Sequence, residues 1–93
     1  MRIAIDFDGT FTAAPDFWRE VIALAKSRGH AVVCVSCRQQ TEENFRDIDA
    51  AMAPCLVPIY LTGGSPKRWY LEQRGEQVDV WVDDNMATVT QGR

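Results

Sequence analysis

The chain has 93 residues, a formal net charge of −3 and 46 % hydrophobic residues. This length predicts one domain spanning residues 1–93, which buries roughly 60 to 70 % of its unfolded surface. The net negative charge argues against a protein whose main task is to bind a nucleic acid backbone, which needs a basic face, although local basic clusters can still bind phosphate. No apolar run approaches the roughly 20 residues of a membrane span, and the N-terminus lacks the ordered regions of a signal peptide. We therefore expect a cytoplasmic protein without a membrane partner.

Four short runs rich in Val, Ile and Leu, at residues 2–5, 31–35, 56–61 and 78–82, have the pattern of strands buried on both faces. Helical stretches lie between them, and this alternation predicts a short parallel sheet with helices on both faces, a three-layer Rossmann-like α/β fold. Pro58 cannot donate a ladder hydrogen bond, which places the third strand at a sheet edge. The strand order 3-2-1-4 satisfies this condition, and ligands should bind beyond the carboxyl ends of the strands.

Three amphipathic helices connect these strands. The first begins at Pro15 and ends at Gly29, with apolar residues at helical spacing at Phe17, Val21, Leu24 and Ala25. The second begins near Thr41, with Glu42 and Glu43 in its first turn, and is expected to bury Phe45, Ile48 and Met52 before Pro54. The third is expected to have Ser65 as its N-cap, Pro66 at its first position and Gly75 just beyond its end.

The cysteines Cys34, Cys37 and Cys55 are an odd number, so a disulfide framework is not expected. Cys34 and Cys37 have C-x-x-C spacing but would face opposite sides of a continuous strand, which argues against a zinc site. Buried, reduced thiols are the better interpretation.

Asp6, Asp8 and Gly9 follow the first strand as Asp-Phe-Asp-Gly. Asp6 and Asp8 fall on one side of the strand while it persists, and Gly9 lets the backbone fold back. At a separation of about 4 Å and an effective dielectric of about 20, two carboxylates repel each other by on the order of 4 kcal/mol. A protonated partner or a bound divalent cation would relieve that repulsion, and oxygen-only ligands at a strand end suit Mg²⁺. The competing interpretation is an exposed turn, since Asp and Gly are common turn residues.

Ser36 and Arg38 follow the second strand. The Ser36 hydroxyl can donate a hydrogen bond to a phosphate oxygen, although an ordinary serine at a strand end is the alternative. Arg38 is a candidate for binding a second phosphate, and its alternative role is an ion pair with Glu42 at i+4.

Lys67 and Arg68 lie in the first turn of the third helix, where the macrodipole disfavours cations by on the order of 0.3 to 1 kcal/mol. Their position suggests a nearby anion or carboxylate cluster, although an isolated lysine is more often solvated. Asp83 and Asp84 follow the fourth strand, where either can complete the coordination of a cation. Capping of a following short helix by Asp84 or Asn85 is the alternative.

In chain order, Asp6-Phe7-Asp8-Gly9-Thr10, Ser36, Lys67 and Asp83-Asp84 resemble the four motifs of the haloacid dehalogenase superfamily of phosphotransferases. The resemblance spans residues 3–84 and implies a haloacid-dehalogenase-like Rossmann fold. It also implies an enzyme, a phosphoric monoester hydrolase in which Asp6 is the nucleophile and Asp8 the general acid and base. Gly9, Ser36, Arg38 and Lys67 are then the phosphate-binding candidates.

The same resemblance implies a Mg²⁺ cofactor bound by Asp6, by Asp8 through its backbone carbonyl, and by Asp83 or Asp84. Only residues 11–14 separate Thr10 from Pro15, too few for the cap domain that many relatives carry there. The resemblance therefore implies a capless, open site for a phosphorylated small molecule or an exposed phosphate on a larger one, and its short sheet is compatible with a homodimer. A receiver-like phosphoacceptor module and a non-catalytic scaffold are the alternative functions.

Overall fold

Four short strands form one wholly parallel sheet, as the sequence predicts. The computed structural model describes residues 1–92. The strands are β1 (Arg2–Ile5), β2 (Ala31–Ser36), β3 (Ile59–Leu61) and β4 (Val80–Val82), and their order in the sheet is β3-β2-β1-β4. The α-helices are α1 (Pro15–Ser27), α2 (Glu42–Met52), α3 (Lys67–Glu72) and α4 (Ala87–Thr90), and short 3-10 turns cover Phe11–Ala13 and Ala53–Cys55. The predicted strand order is confirmed.

The strand register aligns the carboxyl ends of all four strands along one edge of the sheet. Ile5 pairs with Cys34 on one side and with Val82 on the other, and Ser36 pairs with Leu61. The ladder extends one step further, since the backbone N–H of Asp6 donates to the Val82 carbonyl at 2.9 Å. The residues that follow the strands therefore meet at this edge, where ligands bind in open α/β sheets.

Alternate side chains of β1 and β2 enter two separate hydrophobic clusters, one on each face of the sheet. Ile5 and Cys34 lie in the cluster that α1 and α2 cover, together with Ile22 and Ile48. On the opposite face, Leu71 of α3 packs against Ala4, Val33 and Val35 of the sheet. Helices therefore lie on both faces of the sheet, as predicted.

The buried faces of α1 and α2 differ from those predicted. In α1, Phe17 and Leu24 are 56 % and 57 % exposed, and Val21 is also exposed. Ala25 packs on the core as predicted, but its companions there are Trp18 and Ile22 in place of Phe17, Val21 and Leu24. This set has the same helical spacing but is displaced by one residue, about 100° around the helix. In α2, Ile48 and Met52 are buried as expected, whereas Phe45 is 44 % exposed.

Thr41 is the N-cap of α2, as predicted, and its hydroxyl accepts a hydrogen bond from the Asn44 backbone at 3.1 Å. The N-terminus of α3 differs from the prediction, because Pro66 takes the N-cap position with an extended ψ of 128° and no side chain caps the helix. Ser65 is therefore not its N-cap. Gly75, with φ of +74°, lies just beyond α3 as expected.

The third and fourth strands are shorter than predicted. β3 begins at Ile59 because Leu56, at φ +51° and 81 % exposed, leaves the extended conformation. Pro58 precedes the strand, and its carbonyl accepts from the Cys34 backbone at 2.8 Å. β3 nevertheless lies at the sheet edge, as predicted from Pro58. β4 begins at Val80 rather than residue 78.

Cys34, Cys37 and Cys55 are all buried and free, which confirms the prediction of unpaired, buried thiols. Burial raises the pKa of Cys34 to about 12, so this thiol stays protonated at neutral pH. Among residues 1–92, no helix has the length and apolar character needed to cross a membrane.

Candidate phosphate and metal site

A buried lysine joins two aspartates from different strands at the carboxyl edge of the sheet. The Lys67 Nζ atom donates to Asp6 Oδ1 at 2.8 Å and to Asp83 Oδ2 at 2.6 Å. Lys67 is 1 % exposed, and the side chains of Asp6 and Asp83 are 8 % and 2 % exposed. Lysine is almost never fully buried unless it is paired. The expected solvated alternative for Lys67 is therefore wrong, and its place at the start of α3 is explained by the carboxylates that it contacts.

The remaining oxygen of Asp6 faces Thr10 and Asp84. The Thr10 hydroxyl lies 3.3 Å from Asp6 Oδ2 and 3.3 Å from Asp84 Oδ1, and it accepts from the Asp84 backbone N–H at 3.1 Å. Gly9, at φ +87°, lies so close to Asp84 that a Cβ atom there would be 2.5 Å from Asp84 Oδ2. The contacts of Thr10 and Gly9 with Asp84 therefore hold the turn after β1 against the end of β4.

Carboxylate oxygens of Asp6, Asp83 and Asp84 lie within 4.8 Å of one another, close enough to ligate one metal ion. An all-oxygen ligand set of this kind suits a hard cation. Lys67 already neutralises part of the charge on Asp6 and Asp83, whereas Asp84 has no cation among its hydrogen-bond partners within residues 1–92. Asp84, together with the outer oxygen of Asp6, is therefore the most available carboxylate for a cation.

The pKa directions at the site follow from burial and from these contacts. Burial raises the pKa of Asp6 to about 6, against the opposing effect of Lys67. Burial alone would lower the pKa of Lys67, but hydrogen bonds to Asp6 and Asp83 offset it and the net change is upward. A hydrogen bond with Asp6 lowers the pKa of Asp84. Lys67 thus stays protonated and Asp84 ionised.

Asp8 lies apart from the three clustered carboxylates because its side chain is bound to Arg38. Arg38 Nε donates to Asp8 Oδ2 and Nη2 donates to Asp8 Oδ1, both at 2.8 Å. Arg38 Nη1 donates to Asp47 Oδ2 of α2 at 2.6 Å, and the guanidinium lies 5.3 Å from the centre of the Phe7 ring. These two carboxylates raise the pKa of Arg38 further above its usual range. The expected alternative partner, Glu42, instead pairs with Arg46 at 2.6 Å.

Ser36 lies at the base of the cleft and is 1 % exposed. Its Oγ accepts from the Arg38 backbone N–H at 3.1 Å, which leaves its hydroxyl proton available to a bound anion. Gly9 lies outside the cleft lining, and its backbone N–H donates to the Thr12 hydroxyl at 3.0 Å.

The other predicted site residues line one open, polar cleft of about 180 Å³. These residues are Asp6, Asp8, Ser36, Arg38, Lys67, Asp83 and Asp84. Residues from four separate loops therefore converge on one cleft, as the sequence predicts.

Several contributors to the site were not predicted from the sequence. Asn85 and Thr88 also line the cleft. Asn85 Oδ1 accepts from the Ala87 backbone N–H at 3.2 Å just before α4, whose N-cap residue is Met86 rather than Asp84 or Asn85. The contact of Thr10 with Asp84 joins residues 74 positions apart, so no local pattern predicts it. The contact of Asp47 with Arg38 depends on how α2 packs beside the loop after β2. Two aromatic side chains, Trp18 and Tyr70, pack against the core, whereas Trp69, beside Arg68 in α3, is 53 % exposed.

No protein-family model matches this chain, and comparisons with curated proteins and with solved structures likewise give no match.

Proposed function

We propose that this protein is a Mg²⁺-dependent phosphatase with a haloacid-dehalogenase-like fold, which hydrolyses a phosphomonoester through an aspartyl-phosphate intermediate. The observation that carries the proposal is the contact of buried Lys67 with Asp6 and Asp83, beside Asp84. A structural ion pair needs one carboxylate, whereas here Lys67 lies among three clustered carboxylates, and the Ser36 hydroxyl lines the same cleft. Such a set binds a metal and a phosphoryl group together.

The proposed chemistry has two steps. In the first, an Asp6 carboxylate oxygen attacks phosphorus, the bond from phosphorus to the ester oxygen breaks, and the Asp8 carboxyl group protonates the leaving oxygen. In the second, Asp8 accepts a proton from water as that water attacks phosphorus, and inorganic phosphate leaves with Asp6 restored. Asp8 thus donates one proton and recovers one in each cycle.

The surrounding groups hold the transferred phosphoryl group. Lys67 and the Ser36 hydroxyl donate to its oxygens, and Arg38 supplies further positive charge at the cleft wall. Mg²⁺, held by Asp6, Asp84 and the Asp8 backbone carbonyl with Asp83 close by, would offset the charge between carboxylate and phosphate. The buried, free thiols accord with the reducing cytoplasm, which we propose as the location.

Phosphate release tests this proposal. The protein is incubated with para-nitrophenyl phosphate and a panel of phosphomonoesters, with Mg²⁺ or with EDTA. We expect release that requires Mg²⁺ and is abolished in Asp6→Asn. The matched control is Asp49→Asn, the same change at an exposed position of α2, which should retain wild-type turnover. Full activity in Asp6→Asn would show that the nucleophile is another group.

One observation favours a second candidate, the receiver-like phosphoacceptor. Asp8, which would activate the hydrolytic water, is held by Arg38, so a phosphorylated Asp6 could persist. The chain order argues against this candidate, because receivers place their lysine after the last strand whereas Lys67 precedes β4. A phosphoprotein that survives for hours without releasing phosphate would favour it.

A further inference from the structure

The guanidinium of Arg38 has nearly all of its donors in use. Nε and Nη2 form a bidentate pair with Asp8, and Nη1 donates to Asp47, with a longer contact of 3.5 Å to Asn44 Oδ1. A guanidinium offers five N–H donors in a rigid planar fork. A substrate anion can therefore gain bidentate contact with this fork only by displacing a carboxylate.

Asp8 is the partner that can be displaced. Asp47 and the Phe7 ring fix the guanidinium from two further directions. Asp8 lies in the turn after β1 and lines the cleft together with Arg38, whereas Asp47 of α2 is not part of the cleft lining. A substrate anion that enters from the cleft therefore meets the Nε and Nη2 edge of Arg38, which Asp8 occupies.

We propose that Arg38 determines substrate specificity by binding a second anionic group of the substrate, which displaces Asp8 and frees it for proton transfer. This inference rests on the proposed phosphatase function. The substrate class is a compact phosphomonoester that carries a second phosphate or carboxylate near the reacting phosphate.

The charges of the cleft support a second anion at Arg38 rather than elsewhere. Lys67 and Arg38 are the two cationic side chains among the lining residues, and Lys67 is held by Asp6 and Asp83. Carboxylate and phosphate groups match the arginine fork in the same bidentate geometry, and a phosphate dianion carries the larger charge. A phosphate can therefore replace the Asp8 carboxylate without rearrangement of Asp47 or Phe7.

A graded set of substrates tests the inference with the full chain. Alkanediol bisphosphates with two to six carbons are each compared with the monophosphate of the same diol, and rates are corrected for the two equivalent phosphates. At one chain length we expect kcat/KM for the bisphosphate to exceed that of the monophosphate by about tenfold or more, the effect of one charge-assisted contact. Part of the gain should appear in kcat, because release of Asp8 aids proton transfer as well as binding.

Variants of Arg38 separate this role from general charge. Arg38→Gln should remove the preference for the bisphosphate, and Arg38→Lys, which keeps the charge but loses the fork, should remove most of it. Arg46→Gln is the matched control, since Arg46 is an exposed arginine of α2 paired with Glu42, and its preference should equal that of the wild type. Calorimetric binding of both substrates to Asp6→Asn, with and without Arg38→Gln, gives a second readout that needs no turnover.

The outcomes distinguish this inference from the proposed function. Phosphate release without a bisphosphate preference at any length, or with one that Arg38→Gln leaves intact, would refute the inference while the phosphatase function stands. If the bisphosphate lowers KM but leaves kcat unchanged, the proposed release of Asp8 on substrate binding is refuted. No release from any compound would remove the proposed function and this inference with it.

Discussion

Replacement of Lys67 by methionine tests how the site is held together. The change keeps most of the side-chain volume but removes the ammonium group that lies 2.8 Å from Asp6 and 2.6 Å from Asp83. Two buried carboxylates would then face each other without a cation. Removal of one partner from a buried ion pair costs about 3 to 5 kcal/mol, and a domain of this size has a free energy of unfolding on the order of 5 to 14 kcal/mol.

Urea denaturation in EDTA at pH 8 measures this loss. With a denaturant slope of about 1 to 3 kcal/mol per molar, the midpoint should fall by at least about 1 M. The loss should be smaller at pH 5. Lys67 lowers the pKa of Asp6, so its removal raises that pKa further above about 6, and protonation at pH 5 then relieves the repulsion.

The matched control is Arg68→Met, which removes the same charge from the next residue of α3, where the side chain is exposed. It should cost less than about 0.5 kcal/mol, as is usual for surface substitutions. A loss below about 1 kcal/mol in Lys67→Met at pH 8, or an equal loss in Arg68→Met, would refute the structural role assigned to Lys67.

Three further predictions concern the core, the turn after β1 and the effect of pH. Ile48→Ala should lower the free energy of unfolding by about 2 to 5 kcal/mol, whereas Phe45→Ala, at a 44 % exposed position of the same helix, should cost clearly less; similar urea midpoints would contradict the observed face of α2. Gly9→Ala should weaken Mg²⁺ binding in calorimetry, because φ is +87° and its Cβ would lie 2.5 Å from Asp84 Oδ2; unchanged affinity would show that the turn adjusts freely. In EDTA, the stabilising contribution of Asp6 should be present below about pH 4 and be lost as pH rises through about 6, because its folded pKa is raised from 3.8 to about 6. Relative to the wild type, Asp6→Asn should therefore gain about 2 to 3 kcal/mol in free energy of unfolding between pH 4 and pH 7, and a relative loss would contradict the raised pKa.

The sheet could be predicted because each strand carries its own signal. Continuous Val and Ile runs indicate strands buried on both faces, and Pro58 excludes its strand from the sheet interior. The strand ends were harder, since Leu56 is apolar and β-compatible yet turns out of the sheet at φ +51°. Local composition does not show at which residue the pairing of a strand with its neighbouring strand ends.

The buried face of α1 could not be chosen from the sequence alone. Phe17, Val21 and Leu24 have helical spacing, and so do Trp18, Ile22 and Ala25, so two apolar stripes lie side by side on this helix. Only the position of the helix on the sheet decides between them. A wide apolar face therefore predicts the helix correctly but not which of its sides is buried.

The candidate site was predicted where a residue follows a strand directly. Asp6 and Asp83 adjoin β1 and β4, so parallel pairing alone brings them together. Lys67 was identified by its unfavourable position at a helix N-terminus. The pairing of Arg38 with Asp8 joins residues 30 positions apart, and no spacing rule predicts such a contact.

Direct detection of a phosphorylated Asp6 is the most direct test of the proposed mechanism. The protein is mixed with para-nitrophenyl phosphate and Mg²⁺, quenched rapidly and treated with borohydride, which reduces an acyl phosphate to an alcohol. Peptide mass spectrometry should then find homoserine in place of aspartate at position 6, only in samples that contained Mg²⁺. Unmodified Asp6 during active phosphate release, or homoserine in place of Asp8 or Asp83, would contradict the mechanism.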